Sequence, residues 1–159
     1  MMNYNVYISS ADRISGGNNN GVYQVNWSDF LDLKYDRYRV NFVLTTDEAY
    51  YLDSAGNNLA SSSFNINTNS RSYSFSTTTK NQSNCLGFVT RTTNGFSNIT
   101  GFPQNNLPVI IERPTSNNIN VSFINLHSNG LLVATDASGN LLTDMGPWTA
   151  ILTFIPVEV

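Results

Sequence analysis

The chain is short of charge. Asp, Glu, Lys and Arg make up 12% of its 159 residues, against roughly 25% in typical domains. Eight Lys and Arg face eleven Asp and Glu, for a net charge of −3. With so few cations, no basic patch can neutralise a row of phosphates, so direct nucleic-acid binding is not expected. There is one cysteine and one histidine. Cys85 has no partner for an internal disulfide, and one His with one Cys cannot complete a structural zinc site. No run of about 18 apolar residues occurs, so no transmembrane segment is expected. The N-terminal stretch has neither a basic start nor an apolar h-region, so it does not look like a secretory signal. Gly and Pro number 10 and 5, too few for a collagen-like or linker sequence.

Uncharged polar residues fill the gap. There are 24 Asn, 18 Ser and 15 Thr, more than a third of the chain. Hydrophobic residues reach 40% and aromatics 12%, enough for a core in one domain of this length. N-x-S/T sequons at Asn26, Asn81, Asn98 and Asn120 are what so much Asn, Ser and Thr produces by chance.

The periodicity is two. Tyr38, Val40, Phe42 and Leu44 alternate with Arg39, Asn41 and Val43. Trp148, Ala150, Leu152 and Phe154 alternate with Thr149, Ile151 and Thr153. Val121 and Phe123, Phe64 and Ile66, and Tyr73 and Phe75 repeat the pattern. Such alternation turns one face of a strand to a core and the other away. It predicts strands over 4–9, 22–27, 37–46, 63–67, 72–77, 86–92, 108–113, 118–127 and 148–157. Asn-Gly pairs at 20–21, 94–95 and 129–130 predict turns. A one- or two-turn helix capped by Ser28 is expected over 28–36. Trp27, Tyr38, Val40, Phe42, Phe123, Trp148, Leu152 and Phe154 are the expected core. The fold class implied is all-β, an antiparallel sandwich or barrel.

Residues 1–20 read as an N-terminal arm and a Gly/Asn-rich tether, with a single domain over 21–159. A tethered strand can join its own sheet or a neighbour's edge; the second is expected here.

The chemistry-bearing residues are sparse. No G-x-S-x-G elbow accompanies His127. A Cys85–His127 dyad is weaker than the reading of Cys85 as a small buried hydrophobe. The Asp-x-x-Gly-Asn turns at 53–57 and 136–140 lack the spacing and closing Glu of a helical calcium loop. No catalytic residue, metal or cofactor is expected, and the chain is not read as an enzyme. Low charge does suit surfaces that bury against partners, whose centres are depleted in Asp, Glu and Lys. Tyr4, Val6, Ile8, Arg13, Tyr50, Tyr51, Phe96 and Phe102 are the candidate interface residues.

Three segments resemble the single jelly-roll capsid proteins of large icosahedral DNA viruses. The first is ISSADR at 8–13 with VYQVNW at 22–27. The second is YRVNFVL at 38–44. The third is INVSFINL at 119–126, then Leu141 and Leu142, Pro147 and Trp148, and LTFIPV at 152–157. The resemblance covers both ends of the chain; the middle, 47–117, matches only in strand count and composition. It implies an eight-stranded jelly roll of two four-stranded sheets, serving as a minor capsid or penton subunit. Its partners would be the major and minor capsid proteins and other copies of itself, in a virion assembled in the host cytoplasm. Loops 53–62, 94–106 and 136–147 would touch those neighbours. The alternative is a carbohydrate-binding sandwich, a lectin or fibre-head module using exposed tyrosines; a trimeric receptor-ligand jelly roll is a third reading.

Overall fold

The computed structural model describes residues 2–32, 34–46, 62–73, 75–76, 81–82, 84–91, 99–101, 109–125, 130–134, 138 and 140–158. Among the described residues twelve strands run in chain order: β1 (Tyr4–Ser9), β2 (Ser15–Gly16), β3 (Asn20–Gln24), β4 (Arg37–Thr46), β5 (Ser62–Asn67), β6 (Phe75–Ser76), β7 (Asn81–Gln82), β8 (Cys85–Arg91), β9 (Ile99–Gly101), β10 (Val109–Glu112), β11 (Asn118–Asn125) and β12 (Trp148–Pro156). Sheet A has the order β1-β12-β4-β10 and sheet B the order β2-β3-β11-β5-β8-β9; β6 and β7 pair separately. Every pairing is antiparallel.

Without the short strands β2, β6, β7 and β9, eight strands remain. Numbered along the chain, they lie in the orders 1-8-3-6 and 2-7-4-5. That is the order of a jelly roll, in which the first strand lies at the edge of one sheet beside the last and the chain crosses between sheets at almost every step.

The core follows from the alternation. Strand β12 buries every second residue, from Trp148 to Pro156. Phe42 of β4 meets Phe64 of β5 at 4.8 Å between ring centroids, and Phe123 of β11 meets Trp148 of β12 at 5.3 Å. These aromatic pairs cross from one sheet to the other and hold the sandwich together. All eight expected core residues are at most 2% exposed. Each large ring removed from water here contributes a few kcal/mol.

Three expectations change. First, the N-terminal segment is not an arm. Tyr4 to Ser9 pair in unbroken register with Phe154 to Thr149 of the chain's own β12. Alternation predicts a strand but cannot say whose edge receives it; here the acceptor is β12 of the same chain, 140 to 150 positions further along. Residues 16–20, read as tether, lie within the hairpin β2–β3. Second, Asn20 and Gly21 lie in β3 rather than at a turn. The reversal is one step earlier, at Gly16 with φ +83°, closed by Gly17 N donating to Asn20 O at 2.9 Å. A Cβ on Gly16 would lie 2.3 Å from Asn20 O, so only glycine serves there. Third, the helix over 28–36 is a single 3-10 turn at Trp27–Asp29, whose preceding residue, Asn26, makes no side-chain cap. Trp27 is held in the core instead, its Nε1 donating to Ser116 O at 2.8 Å. Of the strand expected over 72–77, the described residues show one bridge, Ser72 to Ile111, and the short β6.

Candidate interaction surface

The outward side chains of sheet A form rows across β1, β12 and β4. The pairing places Ser9, Thr149 and Thr45 in one row, Tyr7, Ile151 and Val43 in the next, and Asn5, Thr153 and Asn41 in a third. The middle row is apolar and open: Tyr7 is 75% exposed and Val43 53%. Its flanks carry hydroxyls and amides that bond one another. Thr45 and Thr149 share a 2.9 Å hydrogen bond, and Thr153 Oγ1 donates to Asn5 Oδ1 at 2.9 Å. Asn41 Oδ1 is shielded and accepts from nothing among the described residues. No charge occurs in these three rows. The first is Arg39, in the next row beside Ile155 and Ile110. A face of this kind repels no partner and needs little desolvation of charge.

Next to β10 the surface is different. Tyr73 lies between Arg37 and Arg71, whose guanidinium carbons are 5.8 and 4.9 Å from its ring. Its hydroxyl donates to Glu112 Oε1 at 2.9 Å. Arg113 and Asp36 form an ion pair at 3.7 Å, with Asp36 largely exposed. An open polar hollow lined by Asp36, Arg37, Tyr73, Glu112, Arg113 and Thr115 lies here.

A third constellation ties the turn between β2 and β3 to the segment before β12. The Asp144 carboxylate accepts from the backbone N–H groups of Asn18, Asn19 and Met145, each at 2.8 Å. Asn19 Nδ2 donates to Leu132 O at 2.9 Å, and Asn18 Nδ2 to Met145 O at 3.0 Å. Trp148 Nε1 donates to Asn18 O at 2.8 Å, and Trp148 N to Ser10 Oγ at 3.0 Å. Charge-assisted bonds from three backbone donors make Asp144 a structural anchor.

The expected interface residues separate on this framework. Val6 and Ile8 are core, at 8% and 5% exposure, because β1 turns them between the sheets. Tyr4 is half-buried, edge-on to Tyr38 at 6.4 Å. Arg13 is exposed but occupied. It donates to Ser10 O and Asn18 Oδ1 from Nη1, and to Gly16 O from Nε, so it holds the turn. Tyr50, Tyr51, Phe96 and Phe102 lie outside the described residues, as do His127, loops 53–61 and 94–98, and most of 136–139. Cys85 is half-buried, its Sγ donates to Gly87 O at 3.3 Å, and burial pushes its thiol up. Among the described residues no three His, Cys, Asp or Glu group as metal ligands, and no helix is long and apolar enough to cross a membrane.

Sequence reasoning passed over Tyr7, Val43 and Ile151. The signal was present as apolar residues in the outward phase of otherwise alternating strands. Asp144 carried no signal, since its partners lie about 125 positions away in the sequence.

Comparison with known proteins gives no relative to argue from. Neither a family model, nor a curated protein, nor a solved structure matches this chain.

Proposed function

We propose that this chain is a structural shell protein, a single jelly-roll subunit at a minor or penton position in the capsid of a large icosahedral DNA virus. The observation that carries the reading is the outer face of sheet A. Three adjacent strands present an uncharged surface with an apolar centre, in a chain already poor in charge. A surface like this suits packing against neighbours on a crowded lattice, where many weak contacts add through multivalency. The jelly-roll strand order and the three capsid-like segments point the same way. The partners would be the major and minor capsid proteins and further copies of the chain, and the protein would reside in the virion after assembly in the host cytoplasm. The chain would act as a binding scaffold rather than an enzyme.

The test is a glycan array run beside virion fractionation with an antibody against this chain. Recovery in purified capsids with a blank array is the expected result. Saturable binding to a defined sugar, with no capsid signal, would replace this reading by the lectin one.

A further inference from the structure

The ends of the two sheets are not equally protected. In sheet B the terminal strands are β2 and β9, two and three residues long, too short to template another chain. In sheet A, β10 is covered. Tyr73 N donates to Ile110 O at 3.1 Å and Glu112 N to Arg71 O at 2.8 Å, so residues 71–73 occupy its far side. Strand β1 has none of these devices. It is six residues long, carries no charge and no proline, and pairs with β12 without a bulge. Among the described residues nothing pairs with its other side. Proteins normally blunt such an edge with charge, proline, a bulge or a cover.

Beside this edge runs an open groove of about 320 Å³, whose apolar lining is Val6, Ile8, Tyr23, Val25 and Phe30 and whose polar lining includes Asp12 and Asp29. Tyr23 is 2% exposed, yet its hydroxyl has no hydrogen-bond partner among the described residues. The groove therefore offers apolar contact beside two carboxylates, and one buried hydroxyl unmatched among the described residues.

The sequence of β1 names the occupant. Asn5-Val6-Tyr7-Ile8-Ser9 is a palindrome in chemical class: polar, aliphatic, aromatic, aliphatic, polar. A two-fold contact uses the same patch from both molecules, so the patch must match its own reverse. A strand from an unrelated partner imposes no such requirement.

We propose that two copies of this chain join through β1, antiparallel about a two-fold axis at Tyr7, merging their sheets A into one eight-stranded sheet. Tyr7 then faces Tyr7 of the second copy, Val6 faces Ile8, and Asn5 faces Ser9. Residue 12 falls opposite residue 2, so no Asp12 meets its own copy. The inward Val6 and Ile8 of each added strand cover the other's groove. The apolar row of Tyr7, Ile151 and Val43 continues across the axis. The pairing does not rest on the capsid reading: sugar binding would end that reading and leave this one to its own test.

Sedimentation equilibrium on the full chain, with Tyr7→Lys and Val43→Lys, provides that test. The expected result is a reversible dimer that Tyr7→Lys converts to monomer and Val43→Lys leaves intact, because Val43 lies two strands from the edge. A second measurement covers the case in which Tyr7→Lys does not fold. In a Cys85→Ser background, Tyr7→Cys is oxidised beside Val43→Cys. Directly opposed Cβ atoms lie about 4.5–5.5 Å apart, so position 7 should give a covalent dimer and position 43 none. A wild-type protein that stays monomeric, a dimer unmoved by Tyr7→Lys, or equal cross-linking at 7 and 43 would overturn the proposal; the last would indicate stacked faces.

Discussion

The two edges of sheet A, β1 and β10, show how one sheet can finish in opposite ways. At β10 the far side is occupied by residues 71–73, and charge gathers around it. Arg37, Arg39, Arg71 and Arg113 are four of the chain's eight Lys and Arg, and Glu112 and Asp36 stand among them. At β1 there is no cover among the described residues and no charge within the strand. In a chain this poor in ionised groups, placing half the cations at one edge leaves little to guard the other. The difference sets an edge that is covered and rich in charge against one whose strand carries none.

The sharpest way to break the comparison is to remove β1. Its edge is open but its inner face is core, so deleting residues 1–9 should abolish cooperative unfolding, followed by circular dichroism. A truncated chain that melts cooperatively would show that the strand is an accessory after all. The next test contrasts the two faces of the same sheet. Phe42→Ala or Trp148→Ala should each cost about 3–5 kcal/mol in urea denaturation, while Tyr7→Ala on the outside should change stability by less than about 0.5 kcal/mol. Similar losses on both faces would mean that the outer row is already covered in the monomer. Third, Asp144→Ala leaves three backbone N–H groups without their acceptor and should cost about 2–3 kcal/mol. A negligible loss would show that water replaces the carboxylate. Fourth, Tyr73→Ala removes the ring between Arg37 and Arg71 and should cost about 1 kcal/mol. It should also loosen the cover on β10 and raise self-association in light scattering; unchanged association would mean that the backbone bonds alone close that edge.

Alkaline titration gives the smallest effect near its onset. Burial pushes the Tyr23 and Tyr38 hydroxyls up to about 12 from an ordinary 10. Tyr38 also donates to Asp32 O at 2.7 Å, a bond its phenolate would lose. Between pH 10 and 12 the unfolded chain releases these protons while the folded chain keeps them, so stability falls as pH rises. Urea midpoints that stay flat across that window would contradict the burial of both hydroxyls.

Legibility in the sequence followed the range of the interaction. Strand β4 was predicted at its observed bounds, because Tyr38, Val40, Phe42 and Leu44 alternate over ten residues with no competing signal. The turn at Gly16 was misplaced because both Gly16-Gly17 and Asn20-Gly21 satisfy the local rule, and pairing with β3 chose between them. The helix over 28–36 failed because Trp27 is worth more in the core than in a capped turn. Of the candidate surface, the apolar phase of Val43 and Ile151 was visible, but its meeting with Tyr7 required β1 to pair with β12.

By itself the sequence determined the all-β class, the eight core residues and the scarcity of charge, because each depends on composition or on the two-residue period of a strand. Only the tertiary structure decided that β1 belongs to its own sheet, that Asp144 anchors the turn between β2 and β3, and that among the described residues one edge is covered while the other is open. Those outcomes join residues more than a hundred positions apart, and local alternation holds no information about which distant edge a strand will meet.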